Sequence, residues 1–413
     1  MIEATHPKHR WLRFTPGRLP AVLLVVEGFL LLSQRFRWFP FNQHKGWTVL
    51  IAVAVAAVCL FLMLLWFAVA LLFRLRFQFS IRSLLVLTAA VAVPCSWLSW
   101  EMKKARKQRE AVEAIVKAGG QVEHDYQGPT WLRNLVGNDF FGTVVQVKLS
   151  GSKVTDAGLE RLQSLTQLKT LLLDYTKVTD AGLEHLKGLT QLETLLLDYT
   201  KVTDAGLEHL GDLGELKKLF LGHTKVRDAG LEYLRGLPHL QALRLSYTNV
   251  TDEGLEHLKD LSELKVLYLT NTQVTDAGLE CLKGWPQLQT LYLDGTEVTN
   301  AGLEHLKGLP RLTVLILSDT QVTDAGLEHL KGLTQLHVLW LNGTQVTDVG
   351  LEHLRGLSTL NRLALEGTKV TDVGLEHLKG LTQLQRLWLD GTKVTDEGVN
   401  KLQQALPNCE IVH

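Results

Sequence analysis

Residues 177–200 read KVTDAGLEHLKGLTQLETLLLDYT, and this stretch recurs with little change from residue 144 to residue 413. Its aspartate, Asp180, has a counterpart in each copy at a constant interval along the chain. Eleven copies in one register, without an insertion, predict a solenoid in which each repeat packs on its neighbours. The column consists of Asp156, Asp180, Asp204, Asp228, Asp252, Asp276, Asn300, Asp324, Asp348, Asp372 and Asp396.

One repeat is predicted to contain a short strand and a short helix. The pattern L-x-x-L-x-L places Leu171 and Leu173 two residues apart, so both point to the inner face of a strand. Thr179 and Asp180 would supply a cap oxygen and first-turn negative charge to a two-turn helix that ends at Gly188. A helix of this length is marginal alone, so packing between repeats must stabilise it.

The repeat resembles the leucine-rich repeat, and its T-D-x-G-L pattern is similar to repeats of F-box-associated proteins and of many bacterial membrane-anchored leucine-rich-repeat proteins. This resemblance implies a right-handed α/β solenoid, with parallel strands on the concave face and short helices on the convex face. Threonine stands where many such repeats have Asn or Cys. We interpret these hydroxyls as partners for backbone groups where the strands end. They belong to Thr176, Thr200, Thr224, Thr248, Thr272, Thr296, Thr320, Thr344, Thr368 and Thr392, preceded by Ser152.

The first hundred residues are strongly apolar and are predicted to form a membrane region with two or three transmembrane helices. The run 47–73 contains no charged residue and is long enough to cross a bilayer with some tilt. Residues 84–100 are a second predicted span, and residues 19–33, interrupted by Glu27, are the third candidate. Residues 77–85, FQFSIRSLL, resemble the entry to the membrane segment in bacterial proteins of this type.

The side of the membrane that carries the repeats is predicted from the distribution of Lys and Arg residues. With two spans, seven Lys and Arg residues precede residue 47, three lie in the loop and five follow, which places both ends in the cytoplasm. With three spans, seven Lys and Arg residues lie on one side of the membrane and eight on the other, so the counts do not decide the orientation. We expect a multi-pass protein of a bacterial inner membrane with cytoplasmic repeats.

Both ends of the solenoid are predicted to be capped. Residues 101–143 form the N-terminal cap, with a charged helix at 101–118, a strand at 121–126 and a short helix at 129–136. Residues 144–413 form the repeats, and residues 406–413, LPNCEIVH, are a degenerate last strand that covers the final repeat. The domain boundaries are therefore 1–100, 101–143 and 144–413.

Three polar columns lie on the predicted helices, but none predicts a catalytic centre. The aspartates are helix caps, and the glutamates mostly precede Lys or Arg by three residues, as in solvated ion pairs. A metal needs ligands within about 2 Å of one ion, whereas one histidine per repeat does not converge. We expect no enzyme, metal or cofactor, because phosphate-loop, zinc and triad motifs are also missing. The histidines are His185, His209, His257, His305, His329, His353 and His377.

The residue between the two inward leucines of each strand must point to the concave side. Eight of the ten residues at this position are large and apolar or aromatic. They would form a stripe on the order of 45 Å long, which is a large exposed patch for a protein without a partner. We call this set the concave column: Leu172, Leu196, Phe220, Arg244, Tyr268, Tyr292, Ile316, Trp340, Ala364 and Trp388.

An acidic row runs beside the concave column, two positions further along the strands. It consists of Asp174, Asp198, Asp294, Glu366 and Asp390. The two rows together predict a site for a protein or peptide ligand, with no nucleic acid and no small-molecule substrate. Aromatic residues are also common in strands for packing reasons, so a purely structural role for the stripe stays open. Two other functions also stay open, namely self-association in the cell envelope and a regulatory adaptor role.

Overall fold

The computed structural model describes residues 81–126, 130–136 and 141–413, together with Phe61. The chain divides into two compact units, residues 1–110 with 124–143, and residues 111–123 with 144–413. The predicted spans at residues 19–33 and, apart from Phe61, at residues 47–73 lie outside the described residues.

Two of the helices that precede the repeats lie within the described residues. Helix α1 spans Ile81–Lys117 and includes the second predicted span at residues 84–100. Within the described ranges, no helix combines the length and the apolar character needed to cross a bilayer. Helix α2 spans Thr130–Val136. The predicted cap helix at 101–118 is thus the second half of a longer helix, because the change from apolar to charged residues carries no Gly or Pro that would stop it.

The strands form one sheet in which each strand lies beside the next one in the chain. In the described part of the chain, this sheet has thirteen strands. From β2 to β13 they pair in parallel, and paired residues such as Leu171 and Leu195 are equivalent positions of successive repeats. The predicted register is therefore confirmed. The strands are β1 Gln121–Tyr126, β2 Gly142–Lys148, β3 Thr170–Leu172, β4 Thr194–Leu196, β5 Lys218–Phe220, β6 Ala242–Arg244, β7 Val266–Tyr268, β8 Thr290–Tyr292, β9 Val314–Ile316, β10 Val338–Trp340, β11 Arg362–Ala364, β12 Arg386–Trp388 and β13 Glu410–Val412.

The convex segments differ from the predicted two-turn α-helices. Most consist of one α-helical turn that continues as a 3-10 helix. Leu207, Leu210 and Leu213 are spaced by three residues, which matches the three residues per turn of a 3-10 helix. The α-helices are α3 Asp156–Leu159, α4 Asp180–Glu184, α5 Asp204–Leu207, α6 Asp228–Leu231, α7 Asp252–Glu256, α8 Asp324–Leu327, α9 Asp348–Leu351, α10 Asp372–Leu375 and α11 Asp396–Ala405. The 3-10 helices are Glu160–Ser164, Glu208–Leu210, Glu232–Gly236, Gly278–Gly284, Gly302–Gly308, Glu328–Leu330, Glu352–Leu354 and Glu376–Leu378.

The leucines of all repeats form one continuous core. Leu171 and Leu173 of the strand segment and Leu183 of the helical segment are completely buried. The same cluster includes Ala111 and Ile115 from the end of α1, so this part of α1 shares the core of the second unit. At the other end, α11 packs on α10, and β13 pairs with β12.

The threonine column makes the predicted hydrogen bonds. The hydroxyl of Thr176 donates to the carbonyl oxygen of Leu173 at 2.6 Å. The same bond recurs in all ten threonine-bearing repeats, and the side chains are buried in nine of them. Each threonine therefore satisfies a carbonyl group at the end of a strand.

The aspartate column has a different role from the predicted helix cap. Asp180 accepts the backbone N–H and the hydroxyl hydrogen of Thr203, both at 2.7 Å, and Thr203 belongs to the next repeat. The two bonds together are called the repeat clasp. The same pattern recurs at Asp156, Asp228, Asp252, Asp276, Asp324, Asp348 and Asp372. The aspartate therefore joins two repeats.

The clasp explains the glycine of the T-D-x-G-L pattern. A Cβ atom on Gly206 would lie 2.5 Å from Oδ1 of Asp180 and 3.0 Å from Cδ1 of Leu183. The first distance is far below van der Waals contact, so the carboxylate of one repeat occupies the space that a side chain in the next repeat would need. Asp and Gly at these positions are thus one structural unit.

Candidate binding surface

The concave column occupies the last residue of strands β3 to β12. The parallel register places its members side by side, for example Tyr268 beside Tyr292 and Trp340 beside Ala364. The flanking leucines are buried, so the column residues project from the opposite face of the sheet. This arrangement brings the predicted residues together in one row.

The centre of the column is an aromatic cluster around Arg244. Its guanidinium carbon lies 4.4 Å from the ring centre of Phe220 and 4.6 Å from that of Tyr268. Arg244 Nη1 also donates to Oδ2 of Asp198 at 2.8 Å, and Asp198 accepts the N–H of Gly222 at 2.6 Å. Arg244 and Asp198 therefore satisfy each other, and they hold the rings in place more than they offer a free charge to a partner.

Further along the column, aromatic side chains dominate the surface. The rings of Tyr268 and Tyr292 stack at 4.6 Å, and burial raises the pKa of Tyr292. Trp340 and Trp388 meet at 6.5 Å, edge to face, across the small buried side chain of Ala364. Trp340 is 37% exposed and is the most accessible aromatic residue of the column. Other predicted site residues contribute little surface, because Ile316 and Asp198 are buried.

Most of the acidic row has no cationic partner. Among the residues that the structure describes, Asp174, Asp294, Glu366 and Asp390 form no salt bridge, in contrast to Asp198. Asp174 accepts the hydroxyl hydrogen of Ser150 at 3.1 Å, and Asp294 accepts that of Thr270 at 3.0 Å. Burial raises the pKa of both Asp174 and Asp294. The row is thus a negative rim along the carboxyl ends of the strands.

A stack of four aromatic rings, which was not predicted from the sequence, lies next to this rim. Tyr175, Tyr199, His223 and Tyr247 follow the acidic-row position by one residue and have φ between 54 and 57°. Successive ring centres are 4.3, 3.9 and 4.0 Å apart, and the Tyr199 hydroxyl lies 2.8 Å from Nε2 of His223. These four residues are called the ring stack. The signal was available, since four consecutive repeats carry an aromatic residue where five other copies have glycine.

The convex face offers no comparable assembly. The glutamates form exposed pairs, such as Glu256 with Lys259 at 3.3 Å and Glu376 with Lys379 at 2.6 Å. Within the described ranges, no three His, Cys, Asp or Glu side chains could hold a metal ion. Cys281 replaces a histidine and is buried, and this burial raises the pKa of its thiol to about 12. A thiol with this pKa is protonated near neutral pH and is a poor nucleophile.

Comparison with known proteins agrees with the repeat structure. The sequence model for the leucine rich repeat matches residues 238–298 and 262–322, and the model for two copies of leucine rich repeats matches residues 310–356. No curated protein matches the chain in sequence. Residues 238–356 therefore match leucine-rich-repeat models, and repeats of this kind commonly mediate protein–protein binding and typically form non-enzymatic scaffolds.

Several solved structures align with this chain, and the first of the three below shows a similar fold. The mouse RP105/MD-1 complex aligns with a TM-score of 0.50 and 21% identity, over 63% of this chain and 45% of that chain. An internalin (inlF) from Listeria monocytogenes has a TM-score of 0.48 and 21% identity, over 68% of this chain and 92% of that chain. The plant peptide hormone receptor RGFR1 in complex with RGF2 has a TM-score of 0.40 and 16% identity, over 61% of this chain and 44% of that chain.

Proposed function

We propose that the concave face of the solenoid binds a protein or peptide ligand, and that the chain is held in a membrane by its N-terminal region. The observation that carries the first part is the set of aromatic side chains Tyr268, Tyr292, Trp340 and Trp388, bordered by carboxylates that have no cationic partner among the described residues. Aromatic side chains supply much of the energy at protein interfaces.

Binding is expected to depend on a few of these residues. Trp340 is the most exposed aromatic residue of the concave column, and Tyr268 and Tyr292 form a stacked pair near it in the sheet. Their rings are held by neighbours, so a ligand would meet surfaces that lose little conformational entropy on binding. Leucine-rich repeats commonly bind proteins, and the mouse structure with the similar fold is itself a complex, of RP105 with MD-1.

The test uses the full chain in detergent and peptides selected on it from a displayed random library. We expect Trp340→Ala, and the double variant Tyr268→Ala with Tyr292→Ala, to weaken binding of selected peptides by about 10- to 30-fold. Tyr233→Ala is the matched control, because Tyr233 is an exposed aromatic residue of the convex 3-10 helix Glu232–Gly236. Unchanged affinity of the concave variants, or an equal loss in the control, would remove the support for this site.

The membrane part of the proposal rests on the sequence of residues 47–73, a long run in which no residue is charged. We place the repeats on the cytoplasmic side of a bacterial inner membrane, following the distribution of basic residues. A compartment-dependent reporter fused after His413, with controls after Lys45 and between residues 74 and 82, tests the topology. A cytoplasmic signal after His413 agrees with the proposal, whereas an external signal overturns this orientation.

A further inference from the structure

The ring stack ends in an open ring face at Tyr175. Tyr175 is 63% exposed, compared with 44% for Tyr199 and 49% for Tyr247. One repeat before Tyr175, the same position is Gly151, which has a φ of +68° and, among the described residues, no heavy atom within 4 Å of the place where a Cβ would lie. The rings stack at 3.9 to 4.3 Å, so a planar group over Gly151 would continue the stack by one member.

The charge beside this open face is negative. Asp174 directly precedes Tyr175, accepts the Ser150 hydroxyl hydrogen at 3.1 Å, and accepts the N–H of Asp198 at 3.2 Å. Burial, and then the charge of Asp198, raise the pKa of the Asp174 carboxyl, while the Ser150 bond lowers it. Among the described residues no cation pairs with Asp174. A cation from outside the chain would therefore offset an unfavourable interaction that already exists there.

The chain shows, one repeat further, which cation suits such a position. Asp198 occupies the same place in its repeat as Asp174, and it is paired with the guanidinium of Arg244 at 2.8 Å. The same guanidinium packs on the rings of Phe220 and Tyr268. A planar guanidinium can stack on a ring and at the same time donate hydrogen bonds in its own plane. An ammonium group is instead a compact, strongly hydrated point charge. Asp174 and Tyr175 offer a carboxylate and a ring face without an arginine of their own.

We propose that the open face of Tyr175, with Asp174 beside it, binds an arginine side chain of the partner. The guanidinium would lie over Gly151, stacked on the Tyr175 ring within about 6 Å of its centre, and would donate to the Asp174 carboxylate. This inference rests on the proposed function, because it assumes a protein or peptide on the concave side. It narrows the class of partner to one with an accessible arginine near the first repeats.

A glycine variant can test the site without disturbing the fold. The position of Tyr175 is glycine in five other copies, Gly151, Gly295, Gly343, Gly367 and Gly391, all with positive φ. An aromatic residue with positive φ is strained, and glycine relieves that strain while removing the ring. Tyr175→Gly is therefore expected to fold, and Tyr175→Phe keeps the ring face as a positive control.

The experiment compares fluorescein-labelled peptides of six arginines, six lysines and six citrullines, with the full chain in detergent and fluorescence anisotropy as the readout. We expect the wild-type chain to bind the arginine peptide about tenfold more tightly than the lysine peptide of equal charge. Tyr175→Gly and Asp174→Asn should each bring this ratio close to one, and Tyr175→Phe should keep it. Asp390→Asn, which changes the same rim at its other end, should weaken both peptides equally.

Two results would overturn the arginine site. One is equal binding of the arginine and lysine peptides by the wild-type chain, and the other is a ratio that survives Tyr175→Gly. The proposed function has its own readout in the response of library-selected peptides to Trp340→Ala. Suppose that those peptides lose affinity on Trp340→Ala, while the wild-type chain binds the arginine and lysine peptides equally. The proposed concave site then stands, and only the arginine site fails.

Discussion

The link between successive repeats depends on one carboxylate, and Asp180→Ala tests its contribution. In the folded chain the two carboxylate oxygens accept the N–H and the hydroxyl hydrogen of Thr203, both at 2.7 Å. Alanine removes both acceptors and leaves the Thr203 N–H without its partner. A hydrogen bond to a charged group contributes about 1.5–3 kcal/mol, and water replaces part of it at these half-buried residues. We therefore expect a total loss of about 2–3 kcal/mol.

The chain itself supplies the control. Asn300 stands in the aspartate column, where its Oδ1 accepts the N–H of Thr323 at 2.8 Å and its Nδ2 approaches the Thr323 hydroxyl at 2.9 Å. Both contacts survive without the negative charge. Asp180→Asn should therefore cost less than about 1 kcal/mol, near the value for exchanging charged for neutral hydrogen bonds.

A second mutation tests the coupling between the carboxylate and the glycine. Gly206→Ala would place a Cβ 2.5 Å from Oδ1 of Asp180, and such overpacking costs about 1–3 kcal/mol. Once Asp180→Ala has removed the carboxylate, that clash is gone, whereas the contact with Leu183 at 3.0 Å stays. We expect the double variant to lose about 1 kcal/mol less stability than the sum of the two single losses.

Hydrogen exchange of the Thr203 amide measures these effects locally, which suits a repeat protein that need not unfold in one step. A loss of about 2–3 kcal/mol corresponds to an opening equilibrium roughly 30- to 150-fold larger for Asp180→Ala. Exchange in Asp180→Asn should stay within about fivefold of the wild type. The account of the clasp is refuted if the asparagine variant exchanges as fast as the alanine variant, or if the two single losses simply add.

Two further predictions concern single residues. The pKa of Asp372 lies below its ordinary value of 3.8, because the N–H and then the hydroxyl of Thr395 bond to the carboxylate. The ionised carboxylate therefore stabilises the folded chain fully above pH 3.8, and this stabilisation is lost as the pH falls through the lower pKa of the folded state. Asp372→Asn should make the free energy of unfolding, measured in urea, depend less on pH below 3.8. An unchanged dependence on pH would contradict this prediction. Trp285 is fully buried and donates to the carbonyl oxygen of Leu258 at 2.9 Å, where most repeats have leucine. Trp285→Leu should therefore lower the free energy of unfolding by about 2–4 kcal/mol in urea titrations, and a change below about 0.5 kcal/mol would show that the site repacks.

The sheet and its concave column could be predicted because the constant period of the repeats carries almost all of that information. Once Leu171 and Leu195 are known to be equivalent, parallel stacking fixes the register, and the residue between the inward leucines must face the concave side. The threonine column followed by the same logic, since a hydroxyl at a strand end has an unpaired carbonyl group within reach. These features depend on contacts inside one repeat or directly across the sheet.

Features that depend on longer contacts were predicted wrongly or missed. The role of Asp180 was assigned to its own helix, although its partner, Thr203, lies 23 residues away in the next repeat. The predicted helix type was wrong because the leucines recur every three residues, as in a 3-10 helix, whereas the prediction followed the cap residues of an α-helix. The ring stack depends on a left-handed backbone at Tyr175, which the sequence signals only through the glycines at equivalent positions. Arg244 also joins elements 46 residues apart, with Asp198 as its partner, and a single-repeat pattern cannot show this pair.

Differences between the copies favour the concave side as the functional face. The exposed glutamate of the convex face is identical in ten successive copies from Glu160 to Glu376, although its surface ion pairs contribute little to stability. This uniformity shows how little the copies have diverged where neither packing nor binding is demanding. Over the same ten copies, the concave column carries seven residue types, from Ala364 to Trp388, on backbones of the same register. Duplication alone would leave both exposed columns equally uniform. This variation from repeat to repeat is what the proposed ligand-binding role of the concave side predicts.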